Sequence, residues 1–198
     1  MGKIFISYST KNRELAEKFI EFLLLAMGVT RENIFCTALA GTLKMGEPFV
    51  EGIRKGMAES QVVIMLITEE YLNSKFCISE AGAAWAMKKK CIPLLLVPFS
   101  KLNDTPLLGM QMGRLDDANA LSHIYDELME WGVAKKRDIA EFNKHLNRLM
   151  EYISQENRSK NQLQKTNSKE HIRFRVSDSV IAMINEMNSE NSYKKNAV

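Results

Sequence analysis

The chain has 198 residues, of which 45% are hydrophobic and 26% are charged, and its formal net charge is +3. A chain of this length and composition buries enough apolar surface to fold without disulfides or a structural metal, which excludes the small cross-linked scaffolds. Cys36, Cys77 and Cys91 are widely spaced and match neither a disulfide framework nor a CxxC metal site, so they favour a reducing compartment.

The N-terminus turns polar soon after Ile4, without the apolar core of a signal peptide. The longest apolar stretches, such as residues 22–29 and 92–99, fall short of the roughly 20 residues that a membrane span needs. We therefore expect a cytoplasmic protein with no membrane partner.

The positive charge is confined to the C-terminal segment. Residues 1–155 carry 19 basic and 19 acidic side chains, whereas residues 156–198 carry 8 basic and 5 acidic ones. The polar, basic composition of residues 158–198 predicts a linker or accessory tail, with a short strand at 171–176 and a helix at 177–187. Aromatic and basic residues do not interleave there, so we expect no nucleic-acid binding.

The first half of the chain predicts two strands and two helices. Residues 3–8 and 33–36 are rich in apolar and β-branched side chains, as strands are. Apolar residues recur at helical spacing between them, and Gly28 ends that helix. Pro48 suits the start of the next helix. The core face of this second helix is predicted to hold Phe49, Ile53 and Met57.

The second half continues the alternation of strands and helices. Residues 62–67 and 92–97 are continuous apolar runs, typical of strands covered on both faces. A helix with small residues is predicted at 74–90 between them. A weaker strand at 110–115 and helices at 117–131 and 138–157 complete the predicted elements.

This order predicts an α/β fold, a flavodoxin-like doubly wound sheet of five parallel strands in the order 2-1-3-4-5. Ligands of such sheets bind at the carboxyl ends of the strands. The predicted crevice therefore lies near residues 7–10 and residues 68–69.

Several kinds of chemistry are excluded by the residues present. Gly41 and Gly46 have the spacing of a P-loop, but Glu47 and Pro48 stand where Lys and Ser or Thr are required. No GxGxxG follows the first strand and no GxSxG nucleophile elbow occurs. The three histidines are far apart, so we predict no metal site.

Glu80 is the carboxylate that remains to be explained. It shares a helix face with Phe76, one turn earlier. The spacing leaves two interpretations open: an exposed Glu near a helix N-terminus, or a functional acid. Phe76 and Trp85 are interpreted first as core aromatic residues.

Blocks of the sequence resemble the TIR domain family, in the family's order, over residues 3–131. Residues 4–9 resemble its first strand and residues 35–48 its variable loop. Residues 61–67 resemble its third strand. Residues 71–80 contain the aromatic-Cys-x-x-Glu motif of NAD-cleaving members, with Phe76 in place of the commoner Trp.

The resemblance implies a role for each matched position. Glu80 would be the catalytic residue that cleaves the nicotinamide–ribose bond of NAD+, and Phe76 would stack on the departing ring. Ser9 and Thr10 at the end of the first strand, and Lys44 in the loop, are weaker candidates for contacts to ribose or phosphate. NAD+ is the substrate, and no cofactor is implied. Trp85 stays assigned to the core.

The resemblance, the helical periodicity and the composition of the tail together divide the chain into three parts. We expect a TIR domain at 1–135, an additional C-terminal helix at 136–157 packed on that domain, and the tail at 158–198.

Two functions of different classes fit these observations. A stand-alone bacterial-type TIR protein would make a cyclic or modified ADP-ribose, or plain ADP-ribose, in anti-phage immunity of the Thoeris type, where the product activates a separate effector. The alternative is a non-catalytic adaptor or host-signalling mimic that acts through TIR–TIR contacts. Self-association is expected in both, and only the enzyme requires Glu80.

Overall fold

The computed structural model describes residues 2–39, 42, 48–103, 105, 107–160 and 162. The chain divides into two compact units, Met1–Ile153 and Ser154–Val198. The strand and the helix predicted at 171–176 and 177–187 lie outside the described residues, and so does Lys44.

Five parallel strands form one sheet in the order β2-β1-β3-β4-β5, which confirms the predicted topology. The strands are β1 (Ile4–Ser7), β2 (Ile34–Phe35), β3 (Val62–Ile67), β4 (Lys90–Leu95) and β5 (Gly113–Arg114). All six residues of β3 are buried, as expected for a central strand covered on both faces. β5 is shorter than the strand predicted at 110–115.

Helices cover both faces of the sheet. They are α1 (Arg13–Leu25), α2 (Phe49–Glu59), α3 (Glu69–Leu72), α4 (Lys75–Ala86), α5 (Ala118–Glu130) and α6 (139–160). Gly28 and Gly132 follow α1 and α5 with φ of +64° and +68°, a left-handed conformation that glycine adopts without strain. The helix predicted at 74–90 ends earlier, at Ala86.

Alternation along the strands separates two apolar cores. Ile4, Ile6 and Ile64 face α1, α5 and the buried side chains of α6, which we call the α1/α5 face. Phe5 and Val63 point the other way, toward α2, α3 and α4, which we call the α4 face. The pleat of a strand produces this division, since successive side chains point to opposite sides.

The helix predicted at 136–157 is observed as α6. Asp138 caps its start, because Oδ1 accepts hydrogen bonds from the backbone N–H groups of Ala140 and Glu141 at 2.8 and 3.4 Å. Its buried side chains on the α1/α5 face are Phe142, Leu146, Leu149 and Ile153. Among the described residues, none of the helices combines the length and apolarity needed to cross a membrane.

Two aromatic residues assigned to the core are exposed. The predictions for Phe49 and Trp85 were wrong, since these side chains are 51% and 67% exposed. α4 turns its small residues toward the sheet, and Trp85 lies on one flank of that buried stripe. Phe49 is the first residue of α2, where the helix has only begun to cover the sheet.

Candidate functional site

The site begins at the carboxyl end of β1. Ser7 is the last residue of this strand and has the same side-chain direction as Phe5, toward the α4 face. Only 1% of Ser7 is exposed. A buried hydroxyl needs a hydrogen-bond partner, and the elements that follow β3 provide it.

Two helix caps position these elements. Thr68 follows β3 and caps α3, because its Oγ1 accepts a hydrogen bond from the backbone N–H of Tyr71 at 3.1 Å. Ser74 caps α4 in the same way, through the N–H of Cys77 at 3.3 Å. The caps satisfy backbone donors at both helix starts and hold Tyr71 and the first turns of α4 beside β1.

A polar cluster joins the turn after β1 to α3. Thr68 Oγ1 donates a hydrogen bond to Asn12 Oδ1 at 2.6 Å, and Asn12 Nδ2 donates one to Glu70 at 3.2 Å. The carboxyl ends of β1 and β3 are thereby fixed to each other, as the predicted crevice requires.

Glu80 lies at the centre of a chain of hydrogen bonds. Ser7 Oγ is 2.5 Å from Glu80 Oε2 and 3.0 Å from Tyr71 Oη. The Tyr71 hydroxyl also lies 3.2 Å from the backbone carbonyl of Cys77, to which it can donate. Three elements that are not all consecutive in the chain, β1, α3 and α4, are joined through these contacts.

Burial raises the pKa of Glu80 to about 7, and the hydrogen bond from Ser7 opposes the rise. The Glu80 charge in turn raises the pKa of its titratable neighbours Cys36, Tyr71 and Cys77, after burial as the larger cause. The interpretation of Glu80 as an exposed residue is therefore wrong, because its side chain is half-buried and the pKa of its carboxyl is raised.

The two oxygens of Glu80 have different surroundings. Oε2 is held by Ser7, whereas Oε1 accepts no hydrogen bond from the residues that the structure describes. No buried polar side-chain atom in that part of the chain lacks a partner. Oε1 is therefore the oxygen of Glu80 that the described residues leave for a ligand.

Phe76 lies one turn before Glu80 on the same flank of α4, and 41% of it is exposed. Its ring packs against Phe49 with centroids 6.0 Å apart and planes tilted by 39°. The carboxyl group of Glu80 and the exposed ring of Phe76 therefore share one flank of α4, and Phe49 of α2 packs on that ring.

The weaker predicted contacts have different positions. Ser9 is buried, at 5% exposed, and Thr10 is exposed at the start of the short 3-10 turn that precedes α1. No hydrogen bond joins either side chain to Glu80 within the described residues. Their roles stay predictions, as does that of Lys44.

Ser7 and Tyr71 contact Glu80 or its partner but were not among the predicted site residues. Ser7 is a polar residue at the end of an otherwise apolar strand, which is a usable signal. Tyr71 had no such signal, because a tyrosine beside a buried strand is most often a core residue.

The described residues contain no group of three or more His, Cys, Asp or Glu side chains that could hold a metal ion. A cavity of about 300 Å³ opens near the other end of β1, and its lining includes Lys3, Phe35 and Glu59. Glu80 and Phe76 do not line it.

A family model described as "TIR domain" matches residues 4–129. The chain belongs to the TIR domain family. The matched segment runs from β1 into the last turn of α5, so it contains the whole sheet and the Glu80 site of this TIR domain.

One curated bacterial protein is similar to part of this chain. This TIR domain is 31% identical over 98 residues to the uncharacterized protein YddK of Bacillus subtilis, a match that covers 49% of this chain and 36% of that protein. The chain thus spans about a third of the length of this curated relative.

Two solved structures are also similar. The TIR domain of the Toll-related receptor TRR-2 from Hydra magnipapillata is 17% identical, with a TM-score of 0.49, and the match covers 66% of this chain and 97% of that one. The TIR domains of the activated Roq1 resistosome are 16% identical, with a TM-score of 0.41, and the match covers 76% of this chain and 84% of that one.

Proposed function

We propose that this TIR domain is an enzyme that cleaves the nicotinamide–ribose bond of NAD+, with Glu80 as the catalytic residue. The observation that carries the proposal is the pair of unlike oxygens on Glu80, one helical turn from the exposed ring of Phe76: one oxygen is held by Ser7, and the other accepts no hydrogen bond from the described residues. Burial with one fixed oxygen is the arrangement that a preorganised carboxylate needs.

The chemistry fits a carboxylate in this position. When the bond between nicotinamide and ribose breaks, its electron pair leaves with the nicotinamide nitrogen and positive charge develops on the ribose ring. An anionic oxygen beside that ring stabilises the oxocarbenium-like transition state more than the ground state. Water or an internal nucleophile then bonds to the ribose carbon and releases a proton.

The pKa of Glu80 suits this role. At about 7, a substantial fraction of the carboxyl is ionised at neutral pH. Bound NAD+ brings the positive charge of its pyridinium ring, which favours the ionised form further. Glu80 can therefore have a raised pKa in the free protein and still be ionised when NAD+ is bound.

Phe76 supplies the proposed contact for the departing ring. An aromatic face stacks on nicotinamide through dispersion and burial of apolar area. Phe49, which packs on Phe76, would extend this surface. Ser9, Thr10 and Lys44 remain the proposed contacts for the ribose and the phosphates.

For the product we propose a cyclic or modified ADP-ribose in preference to plain ADP-ribose. A site that holds the adenosine half near the ribose cation gives an internal nucleophile a high effective concentration and so lets it compete with water. By resemblance to Thoeris-type systems, this product would act in anti-phage defence through a separate effector. Mass spectrometry of the reaction products tests this part, and ADP-ribose as the sole product at every enzyme concentration would contradict it.

The central test is incubation of the purified chain with NAD+ and chromatographic detection of free nicotinamide. Three proteins are compared: the native chain, Glu80→Gln, and the control Glu127→Gln, which alters an exposed Glu of α5. We expect release by the native chain and by the control, and a loss of at least about 100-fold in Glu80→Gln.

The outcomes separate the two function classes. Equal release by folded Glu80→Gln would remove Glu80 from the chemistry. No release by the native chain, at concentrations at which it self-associates, would favour the non-catalytic adaptor. Circular dichroism of each variant verifies that the fold is intact.

A further inference from the structure

We propose that Ser7 and Tyr71 are positioning residues that orient the carboxylate of Glu80 through a relay of hydroxyl groups. This inference rests on the proposed function, because it assigns the groups that prepare the catalytic acid. Neither residue has an accessible surface for substrate, since Ser7 is 1% and Tyr71 0% exposed. We therefore expect any effect they have on NAD+ to pass through Glu80, the group that Ser7 contacts.

The relay follows from a count of hydrogens. Three contacts link Glu80 to Ser7, Ser7 to Tyr71, and Tyr71 to the carbonyl of Cys77. The two hydroxyl groups supply two hydrogens, and burial raises the pKa of Tyr71, so its hydroxyl keeps its proton. A third hydrogen is present only when Glu80 itself is protonated.

The direction of the relay depends on that proton. With Glu80 protonated, the carboxyl donates to Ser7, Ser7 donates to Tyr71, and Tyr71 donates to the Cys77 carbonyl. With Glu80 ionised, Ser7 must donate to Oε2, and Tyr71 can then donate to Ser7. Ionisation of Glu80 therefore reverses the hydrogen bond between Ser7 and Glu80, so that Ser7 becomes the donor. Tyr71 allows this change because its hydroxyl can either accept from Ser7 or donate to it.

The geometry also decides which oxygen is left for substrate. Ser7 holds Oε2 at 2.5 Å, which restricts rotation of the carboxylate and leaves Oε1 without a hydrogen bond from the described residues. Without this restraint, the carboxylate would sample several orientations. A misplacement of about 1 Å can cost on the order of 100-fold in rate, which sets the scale of the expected effect.

The relay can be measured through the titration of Glu80, because its titratable neighbours do not ionise in the same pH range. The titratable groups influenced by its charge are Cys36 beyond β2, Tyr71 on α3 and Cys77 on α4, and the pKa of each is raised, so these groups stay neutral near pH 7. The hydrogen bond from Ser7 lowers the pKa of Glu80. Its removal should therefore move the titration of Glu80 to higher pH.

The experiment combines kinetics with an activity-independent titration. Ser7→Ala, Ser7→Cys, Tyr71→Phe and the double variant Ser7→Ala/Tyr71→Phe are compared for kcat, KM and pH dependence. The Glu80 carboxyl is titrated by carbon-13 NMR, and Glu80→Gln identifies its resonance. Ser60→Ala and Tyr125→Phe are matched controls, because each removes a hydroxyl with a backbone partner away from Glu80.

We expect Ser7→Ala to lower kcat about 10- to 100-fold with little change in KM, and to shift the acidic limb and the NMR midpoint to higher pH. Ser7→Cys, a weak donor of similar shape, should lie between Ser7→Ala and the native chain. Tyr71→Phe should have a smaller effect that vanishes in the Ser7→Ala background, because Tyr71 acts through Ser7. The controls should match the native chain.

An unchanged Glu80 titration in Ser7→Ala and Ser7→Cys would overturn the relay, as would full additivity in the double variant. The proposed function can fail separately: a native chain that releases no nicotinamide but shows the NMR shifts keeps the relay and loses the reaction. If the native chain releases nicotinamide and the Ser7 and Tyr71 variants have the same kinetics and Glu80 titration, the proposed reaction stands and the relay is contradicted.

Discussion

The two faces of the sheet differ in the side chains that they bury. The core of the α1/α5 face is an apolar cluster packed between the strands and α1, α5 and α6. The α4 face has a smaller apolar core, and its edge contains the bonded set Ser7, Tyr71 and Glu80. Apolar packing stabilises the first face, whereas the second also holds the half-buried acid Glu80, whose desolvation costs stability.

This contrast predicts which substitutions lower the stability of the domain and which lower its activity. A buried ionisable group is unfavourable unless something else requires it, and its cost must be offset by packing elsewhere in the same fold. We therefore expect variants of the α1/α5 face to lose stability. Replacement of Glu80 at the α4 edge by a neutral side chain should gain or keep stability while activity is lost.

The largest effect on stability is expected for Phe22→Ala. Phe22 on α1 is 2% exposed and packs against the rings of Phe19 and Phe142. Truncation should lower the free energy of unfolding by about 3–5 kcal/mol through lost burial and a cavity. Denaturant unfolding measures this loss, and Phe22→Leu is the control, with an expected loss below about 1.5 kcal/mol. Equal losses for both would contradict the cavity explanation.

The second prediction is a gain in the free energy of unfolding, opposite to the loss expected for Phe22→Ala. The rise of the Glu80 pKa from the usual 4.5 to about 7 corresponds to about 3 kcal/mol. Because the folded-state pKa is the higher one, this stability is fully present below pH 4.5 and is lost as the pH rises through 7. Glu80→Gln avoids the loss, so it should be more stable than the native chain at about pH 8 by up to about 3 kcal/mol.

At about pH 4 the two proteins should be equally stable, because both side chains are then neutral. Denaturant unfolding across the pH range checks the prediction. A native chain that matches Glu80→Gln at every pH would show that burial of the acid has no cost.

The third prediction concerns the ring beside the acid. Phe76→Ala should lower kcat/KM for NAD+ by about tenfold, equivalent to about 1.4 kcal/mol, because stacking is lost. Phe76→Trp should preserve activity, since both side chains present an aromatic face. Nicotinamide release measures both, and a Trp variant as inactive as the Ala variant would assign Phe76 to packing instead.

The smallest effect is expected on the opposite flank of the same helix. Trp85 lies about 180° around α4 from Phe76 and is 67% exposed. Trp85→Ala should change the free energy of unfolding by no more than about 0.5 kcal/mol and leave nicotinamide release unchanged. A loss of activity comparable with that of Phe76→Ala would show that both flanks contact substrate or a second copy of the chain.

Much of the fold could be predicted from local patterns. The apolar run at residues 62–67 identified the central strand because only a strand buried on both faces tolerates such a run. Gly28 marked the end of α1 because its left-handed backbone suits glycine. Alternation of strands and helices then left few possible strand orders, and the observed order 2-1-3-4-5 was among them.

The flanks of α4 could not be assigned in this way. Helical spacing places Phe76 and Glu80 together, but it does not say which stripe of the helix meets the sheet. The small residues Ala81 and Ala84 take that position, so Glu80 is half-buried at its edge and Trp85 is left in solvent. The choice depends on how closely the helix approaches the strands, which is a tertiary property.

The sequence by itself therefore determined the family, the sheet order and the acid worth testing, because these follow from short motifs and from periodicity. Only the tertiary structure brought Ser7, Tyr71 and Glu80 together, from positions up to 73 residues apart in the chain. Their pKa values and hydrogen-bond partners depend on distances and burial across three elements. Sequence patterns describe neighbours along the chain, whereas electrostatics and hydrogen bonding depend on neighbours in space.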